Sequence, residues 1–255
     1  MQRYFVAPGQ FAGAGVTLTG DDARHLGTVM RAKPGDVFIA CDGAGREAQV
    51  RIETIEPGKI AGTVLQWIDT GSEMAWRVTV AQSLPKGDKL ETVIQKGTEA
   101  GAAAFLPFTS RRTIVQYDER KEGKRLERWR KIAKEAAEQA HRAVIPEVAP
   151  VCSWQQLLRS MKDYDLTLLC YEEEGRGGTG LKQVLSAFRE RSPSVANPRV
   201  LVVVGPEGGF DPQEAEQAAA AGAAAVGLGR RILRTETAAL VALACIAYES
   251  GEMGG

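Results

Sequence analysis

The sequence predicts an α/β protein, a mostly parallel sheet with helices on both faces, preceded by a small β-barrel of about 70 residues. Three observations carry that class. From Trp76 onward, apolar β-type runs alternate with helical stretches. Before residue 70, short β-rich runs are separated by the turn signals Pro34-Gly35, Asp42-Gly43 and Pro57-Gly58. Near the C-terminus, two glycine-bearing loops each follow an apolar run and open a helix.

In order, the first region (1–70) holds strands at Val16–Thr19, Asp36–Cys41, Ala48–Ile55 and Lys59–Ile68, with one helix at Asp21–Met30. Asp69-Thr70-Gly71-Ser72-Glu73 reads as a linker. The second region (75–255) holds strands at Arg77–Ala81, Ala103–Phe108, Leu166–Tyr171, Val200–Val204 and Ala224–Leu228. Between them fall helices at Leu90–Ala100, Leu126–Val144, Leu181–Arg191, Pro212–Ala221 and Thr235–Tyr248. The alanine-rich stretch Ala218–Ala225 suits close helix packing.

At 255 residues the chain can bury a substantial core. It contains no apolar run long enough to span a membrane, and Met1–Val6 lacks the apolar core of a signal peptide, so a cytoplasmic location is expected. Cys41, Cys152, Cys170 and Cys245 stand far apart and His25 and His141 have no ligand-like neighbours, so no metal site is expected. Cys152, Cys170 and Cys245 lie in apolar patterns and read as core packing. Net charge is zero but uneven: residues 76–145 carry 15 Lys and Arg against 9 Asp and Glu. That excess points to a polyanion partner. Solvation of the helix within 121–142 explains part of it equally well.

The two loops are Gly205-Pro206-Glu207-Gly208-Gly209-Phe210, after Val200–Val204, and Leu228-Gly229-Arg230-Arg231-Ile232-Leu233-Arg234-Thr235-Glu236-Thr237-Ala238. In an open α/β sheet, ligands sit beyond the carboxyl ends of strands, where glycines admit close backbone approach and helix N-termini offer free N–H groups. The two loops therefore read as two walls of one pocket. Glu207 makes it locally acidic, and the Lys-Ser/Thr of a phosphate-binding loop is missing. A ligand with hydroxyls, an adenine edge and a positive centre suits it better than a triphosphate, and S-adenosylmethionine has those features. A second glycine-rich stretch, Gly175-Arg176-Gly177-Gly178-Thr179-Gly180, matches the dinucleotide spacing, but Glu172-Glu173-Glu174 directly before it would repel a pyrophosphate.

These motifs, with Gln95–Gly101, Glu135–Arg142, Arg3-Tyr4-Phe5-Val6, His25-Leu26 and Val29-Met30-Arg31, closely resemble the ribosomal RNA small-subunit methyltransferase E family of the SPOUT class. The likeness covers nearly the whole chain; Ala100 and Ala140 are its mild departures. The resemblance implies a PUA-like RNA-binding barrel, an α/β domain ending in a trefoil knot, a homodimer, and transfer of a methyl group from S-adenosylmethionine to N3 of one uridine. It places cofactor contacts at Tyr171, Val204, Gly205, Pro206, Glu207, Gly208, Gly209, Leu228, Gly229, Ile232, Leu233, Arg234, Thr237 and Ala238.

Uridine N3 carries a proton, so transfer needs that proton removed or the resulting anion stabilised. Arg234 is the expected cation for charge developing on a uracil oxygen, and Glu236 or Glu207 the expected proton acceptor or base holder. Both carboxylates also have structural readings, Glu236 as a helix N-terminal acid and Glu207 as a brace for its loop. Glu135, Gln139 and Arg142 fall on one helical face. Lys86, Lys89, Lys96, Arg111, Arg112 and Arg142, with Arg3 and Arg31 on the barrel, are the expected RNA contacts. Two rival readings stay open: a non-enzymatic RNA-binding protein, and a nicotinamide-dependent oxidoreductase using Gly175–Gly180.

Overall fold

The structure, a computed structural model, describes residues 1–114, 122–173 and 178–253. Lys121 of the basic helix and Glu174, Gly175, Arg176 and Gly177 of the dinucleotide-like stretch lie outside the described residues. The chain divides into two units, one of residues Met1–Glu73 and Ala137–Ile145, the other of Met74–Ala136 and Pro146–Gly255. The sequence alone places 137–145 in the second region.

The first unit contains β1 (Arg3–Phe5), β2 (Phe11–Ala12), β3 (Gly15–Thr19), α1 (Gly20–Arg24), β4 (Val37–Cys41), β5 (Glu47–Glu56) and β6 (Lys59–Ile68). The strands form one sheet in the order β1-β4-β5-β6-β3-β2, with β1 parallel to β4 and every other pair antiparallel. Alternating residues bury one face, so Val16, Leu18, Phe38, Val50, Ile52 and Ile60 make the core. The helix expected at Asp21–Met30 is α1 followed by a π-helical turn, His25–Val29, where Tyr4 Oη lies 2.8 Å from His25 Nδ1. The sequence reading missed β1 and β2, which are too short to show a period.

The second unit contains β7 (Arg77–Ser83), α2 (Lys89–Glu99), β8 (Ala104–Thr109), α3 (Glu122–Gln139), β9 (Glu147–Val148), β10 (Cys152–Ser153) and α4 (Trp154–Ser160). After these come β11 (Leu166–Cys170), α5 (Leu181–Arg191), β12 (Arg199–Val204), α6 (Pro212–Ala220), β13 (Ala224–Val226) and α7 (Thr235–Glu249). The last three residues of α3 are counted with the first unit. The sheet runs β10-β8-β7-β12-β11-β13, with β9 also on β8, and every pair is parallel. Both faces are covered, which is why β12 reads as an unbroken apolar run. Val200, Val202 and Val204 pack with Leu90, Val93, Leu243 and Ile246 on one side, while Leu201 and Val203 pack with Trp154, Leu157 and Phe210 on the other.

Local hydrogen bonds fix the end of α3 and the start of α4. α3 stops at Gln139 rather than Val144 because His141 takes a left-handed conformation (φ 58°), with Arg142 N–H donating to Ala137 O at 2.9 Å and His141 N–H to Glu138 O at 3.3 Å. That is a Schellman closure, which a non-glycine residue rarely makes, so the sequence did not announce it. The expected stripe of Glu135, Gln139 and Arg142 is thereby broken, since Arg142 lies past the helix. α4 was not foreseen. Ser153 caps it, accepting from Gln156 N–H at 3.3 Å while Gln156 Oε1 accepts from Ser153 N–H at 2.8 Å.

Candidate functional site

The site lies where the sheet of the second unit ends. β12 runs out at Val204, β11 at Cys170 and β13 at Val226, neighbouring parallel strands whose carboxyl ends open on the same side. Their following loops, with the start of α7, enclose a cavity of about 600 Å³. That is a volume typical of cofactor pockets.

The loops are held by contacts that sequence reading missed. Thr235, first residue of α7, donates its hydroxyl to Gly205 O at 2.6 Å and accepts from Gln82 Nε2 at 2.8 Å. Gln82 is buried near the end of β7, and its Nε2 also approaches Ser83 O at 3.1 Å. One amide from the central strand thus ties the Gly205 wall to the Leu228–Arg234 wall. No motif marks Gln82, and the only available signal was a polar residue just past a strand read as Arg77–Ala81.

Backbone conformation shapes both walls. Gly209 and Gly229 have φ of 67° and 98°, where a side chain is strained, and a Cβ on Gly205 would stand 3.1 Å from the Phe210 ring. Phe210 is buried against Phe108 and Trp154 and anchors the loop from below. Asp211 then caps α6 with Pro212 at its first position; Gln213 N–H donates to Asp211 Oδ1 at 3.1 Å and Asp211 N–H to Glu214 Oε2 at 3.0 Å.

Thirteen of the fourteen expected cofactor residues line the cavity, and Thr237 does not. Cys170, Val226, Phe210, Arg112 and Thr235 line it as well. Of the three expected catalytic residues, Glu207 and Arg234 are on the lining and Glu236 is not. Arg234 is exposed at the N-terminus of α7, beside Arg230 and Arg231. Glu207 accepts from Lys89 Nζ at 2.7 Å and Lys86 N–H at 3.0 Å. Partial burial pushes its carboxyl up, but Lys89 and the backbone N–H groups outweigh that and hold it below the usual 4.5. Glu236 Oε2 is buried and has no hydrogen-bond partner among the described residues. Burial, with Glu173 beside it, pushes the Tyr171 phenol above its ordinary 10.0.

The expected RNA contacts divide. Lys86, Lys96, Arg31, Arg111 and Arg112 are exposed, Lys96 with Glu99 at 2.8 Å and Arg111 with Asp211 at 3.3 Å. Arg112 Nη1 donates to Gly208 O at 3.0 Å, so it also braces the cavity. Arg3 and Arg142 are corrections. Arg3 is buried against Glu47, and Arg142 is buried with its guanidinium forked onto Glu73, whose Oε1 also accepts from Ala143 and Val144 N–H. Neither cation reaches a surface where a phosphate can meet it. A further correction concerns Cys245, which is exposed on α7 rather than packed in the core. Among the described residues no helix is long and apolar enough to cross a membrane.

A glycine-walled cavity at the carboxyl ends of parallel strands, in a chain that also has a β-rich unit, defines a cofactor-binding α/β protein. The model of the RNA methyltransferase domain matches residues 72–247, and that of the RNA methyltransferase PUA domain matches residues 18–65. The chain is similar to ribosomal RNA small subunit methyltransferase E of Bacillus subtilis (strain 168), 42% identical over 259 residues that cover 100% of this chain and 99% of that one. The same enzyme of Mycobacterium bovis is 36% identical over 92% of this chain and 86% of its own length. A crystal structure of ribosomal RNA small subunit methyltransferase E from Neisseria gonorrhoeae bound to S-adenosyl methionine superposes with a TM-score of 0.84, at 32% identity over 97% of both chains. The chain belongs to the RNA methyltransferases, and within them to the ribosomal RNA small subunit methyltransferase E family.

Proposed function

We propose that this protein transfers a methyl group from S-adenosylmethionine to N3 of a uridine in small-subunit ribosomal RNA, in the cytoplasm. The observation that carries the reading is the cavity closed by the Gln82, Thr235 and Gly205 bonds, in a chain of this family. Its residues fit the cofactor. Val204, Val226, Leu228, Leu233 and Ala238 offer apolar surface to an adenine, the glycine loops bare backbone groups, and Glu172, Glu173 and Glu207 suit a ligand with positive centres. The bound cofactor supplies an electrophilic methyl group on a sulfonium.

Every other requirement falls on the protein. The N3–H proton must leave as the new N–C bond forms, and the charge spreading onto the uracil oxygens needs a cation. Arg234 meets the second need: it is exposed on the cavity wall, and the free N–H groups at the start of α7 add to its potential. For the proton, Glu207 is the expected carboxylate that lines the cavity, kept ionised by Lys89 and the Lys86 N–H, whereas Glu236 Oε2 is buried off the lining. Arg111, Arg112, Lys86 and Lys96 take the RNA phosphates.

The finer architecture follows the same reading. β13 lies beyond β11 while α7 packs back on β7 and β12, a path consistent with a SPOUT trefoil knot, and the first unit is the PUA-like barrel. The outward face of α7, with Leu240, Val241, Ala244, Cys245 and a largely exposed Tyr248, is the homodimer surface. Equilibrium dialysis tests the core of the proposal: S-adenosylmethionine should bind and a nicotinamide cofactor should not. Arg234→Ala should keep cofactor affinity and lose turnover on ribosomal RNA; full activity in that variant removes Arg234 from the mechanism.

A further inference from the structure

The first unit carries an exposed aromatic cluster that the chemistry above does not use. Trp67 and Leu65, near the end of β6, both stand in solvent, 52% and 46% exposed. The other three tryptophans, Trp76, Trp129 and Trp154, are buried. β2 brings Phe11 beside the Trp67 indole, with centroids 5.7 Å apart and planes inclined by 30°. The guanidinium of Arg46 lies 5.7 Å from the Phe11 ring and 5.9 Å from the Trp67 ring. Asp42 Oδ2 holds Arg46 Nε at 2.7 Å, while Asp42 Oδ1 accepts from the N–H groups of Ala44 and Arg46. The fork is therefore aimed by its Nε edge, and among the described residues no acceptor bonds its two terminal nitrogens.

A half-exposed indole with a second ring beside it offers a flat apolar face that a partner can cover. The cation decides what kind. An apolar peptide laid on this face would have to strip water from Arg46 without replacing its hydrogen bonds. An unpaired nucleotide presents a flat π face to the indole and a phosphate to the guanidinium, so it satisfies both groups. We infer that Phe11, Arg46 and Trp67 form a stacking platform for one unpaired base of the RNA substrate, with the terminal nitrogens of Arg46 on the adjoining phosphate. The inference rests on the RNA methyltransferase reading, because it takes RNA as the ligand.

Trp67 is its own reporter. Adding a short single-stranded oligouridylate to the full-length protein should quench the solvent-exposed part of its fluorescence, and an RNA duplex of equal length, whose bases are already stacked, should quench it much less. Trp67→Ala should weaken oligouridylate binding about tenfold with an unchanged salt slope, since stacking releases no counterions. Trp67→Phe should recover most of the affinity, and Arg46→Ala should lower the slope by about one unit. Cofactor affinity, measured on each variant, should not move, and that readout separates failure of the platform from failure of the cavity reading. No quenching, or a Trp67→Ala enzyme with an unchanged KM for ribosomal RNA, overturns the platform. A protein partner at this face would give that same result.

Discussion

Replacing Thr235 by Val tests whether the stitch between the two loops builds the cavity. Valine keeps the branched shape and deletes the hydroxyl, so both the 2.6 Å bond to Gly205 O and the 2.8 Å bond from Gln82 Nε2 disappear. A buried polar group left without a partner costs about 1–3 kcal/mol. Neither group is left bare, because Gln82 Nε2 keeps Ser83 O at 3.1 Å and reaches Gly205 O at 3.4 Å. The loss should then sit near the low end, about 1–2 kcal/mol. In a protein of this size each kcal/mol moves the midpoint by about 2–4 °C, so melting followed by circular dichroism should fall by about 2–8 °C. Calorimetric titration should show S-adenosylmethionine binding weakened by up to about tenfold, since the freed Gly205 wall must be ordered by the ligand. Thr235→Ser retains the hydroxyl and should restore both. A Thr235→Val protein with wild-type midpoint and affinity refutes the reasoning, and a serine variant as impaired as valine assigns the effect to packing of the methyl group.

Gly229→Val, at φ 98°, should strain the second wall and cut cofactor affinity severely while the first unit stays folded, which far-ultraviolet dichroism and dialysis together would show. Glu207 has a folded-state value below its ordinary one, so the support it gives its loop is complete above about pH 4.5 and is lost as pH falls through the lower folded value. Cofactor affinity should therefore be flat from pH 8 down to about 5 and decline below 4.5, and Glu207→Gln should remove that decline; a fall already centred near pH 6 would implicate another group. Arg142→Ala leaves Glu73 without its cation but still partly exposed and bonded to Ala143 and Val144 N–H, so denaturant unfolding should report a loss of about 1–3 kcal/mol. The salt slope of RNA binding should stay at the wild-type value in that variant, because Arg142 is not a phosphate contact.

Periodicity made much of the second unit legible. Val200–Val204 reads as a strand buried on both faces because it is one, and Leu181–Arg191 reads as a helix from end to end. The glycine loops were legible for the same local reason: a positive φ or a close approach restricts residue type at a single position, so Gly205, Gly209 and Gly229 carry their meaning in the chain itself. Short pieces such as β2 and β10 escaped, since two residues cannot display a period.

What sequence by itself determined about this protein is the alternation of its elements, the two pocket walls and the family they belong to. Only the tertiary structure decided which polar groups are spent on the fold. Arg3 and Arg142 looked like surface cations until Glu47 and Glu73, 44 and 69 residues away, were found against them. Gln82 reads as one polar residue just past a strand, and only the fold shows Thr235, 153 residues on, meeting its amide. The physical reason is common to all three. Conformational preference acts on one residue and its neighbours, whereas a buried ion pair or hydrogen bond depends on a partner that distant chain brings within about 3 Å.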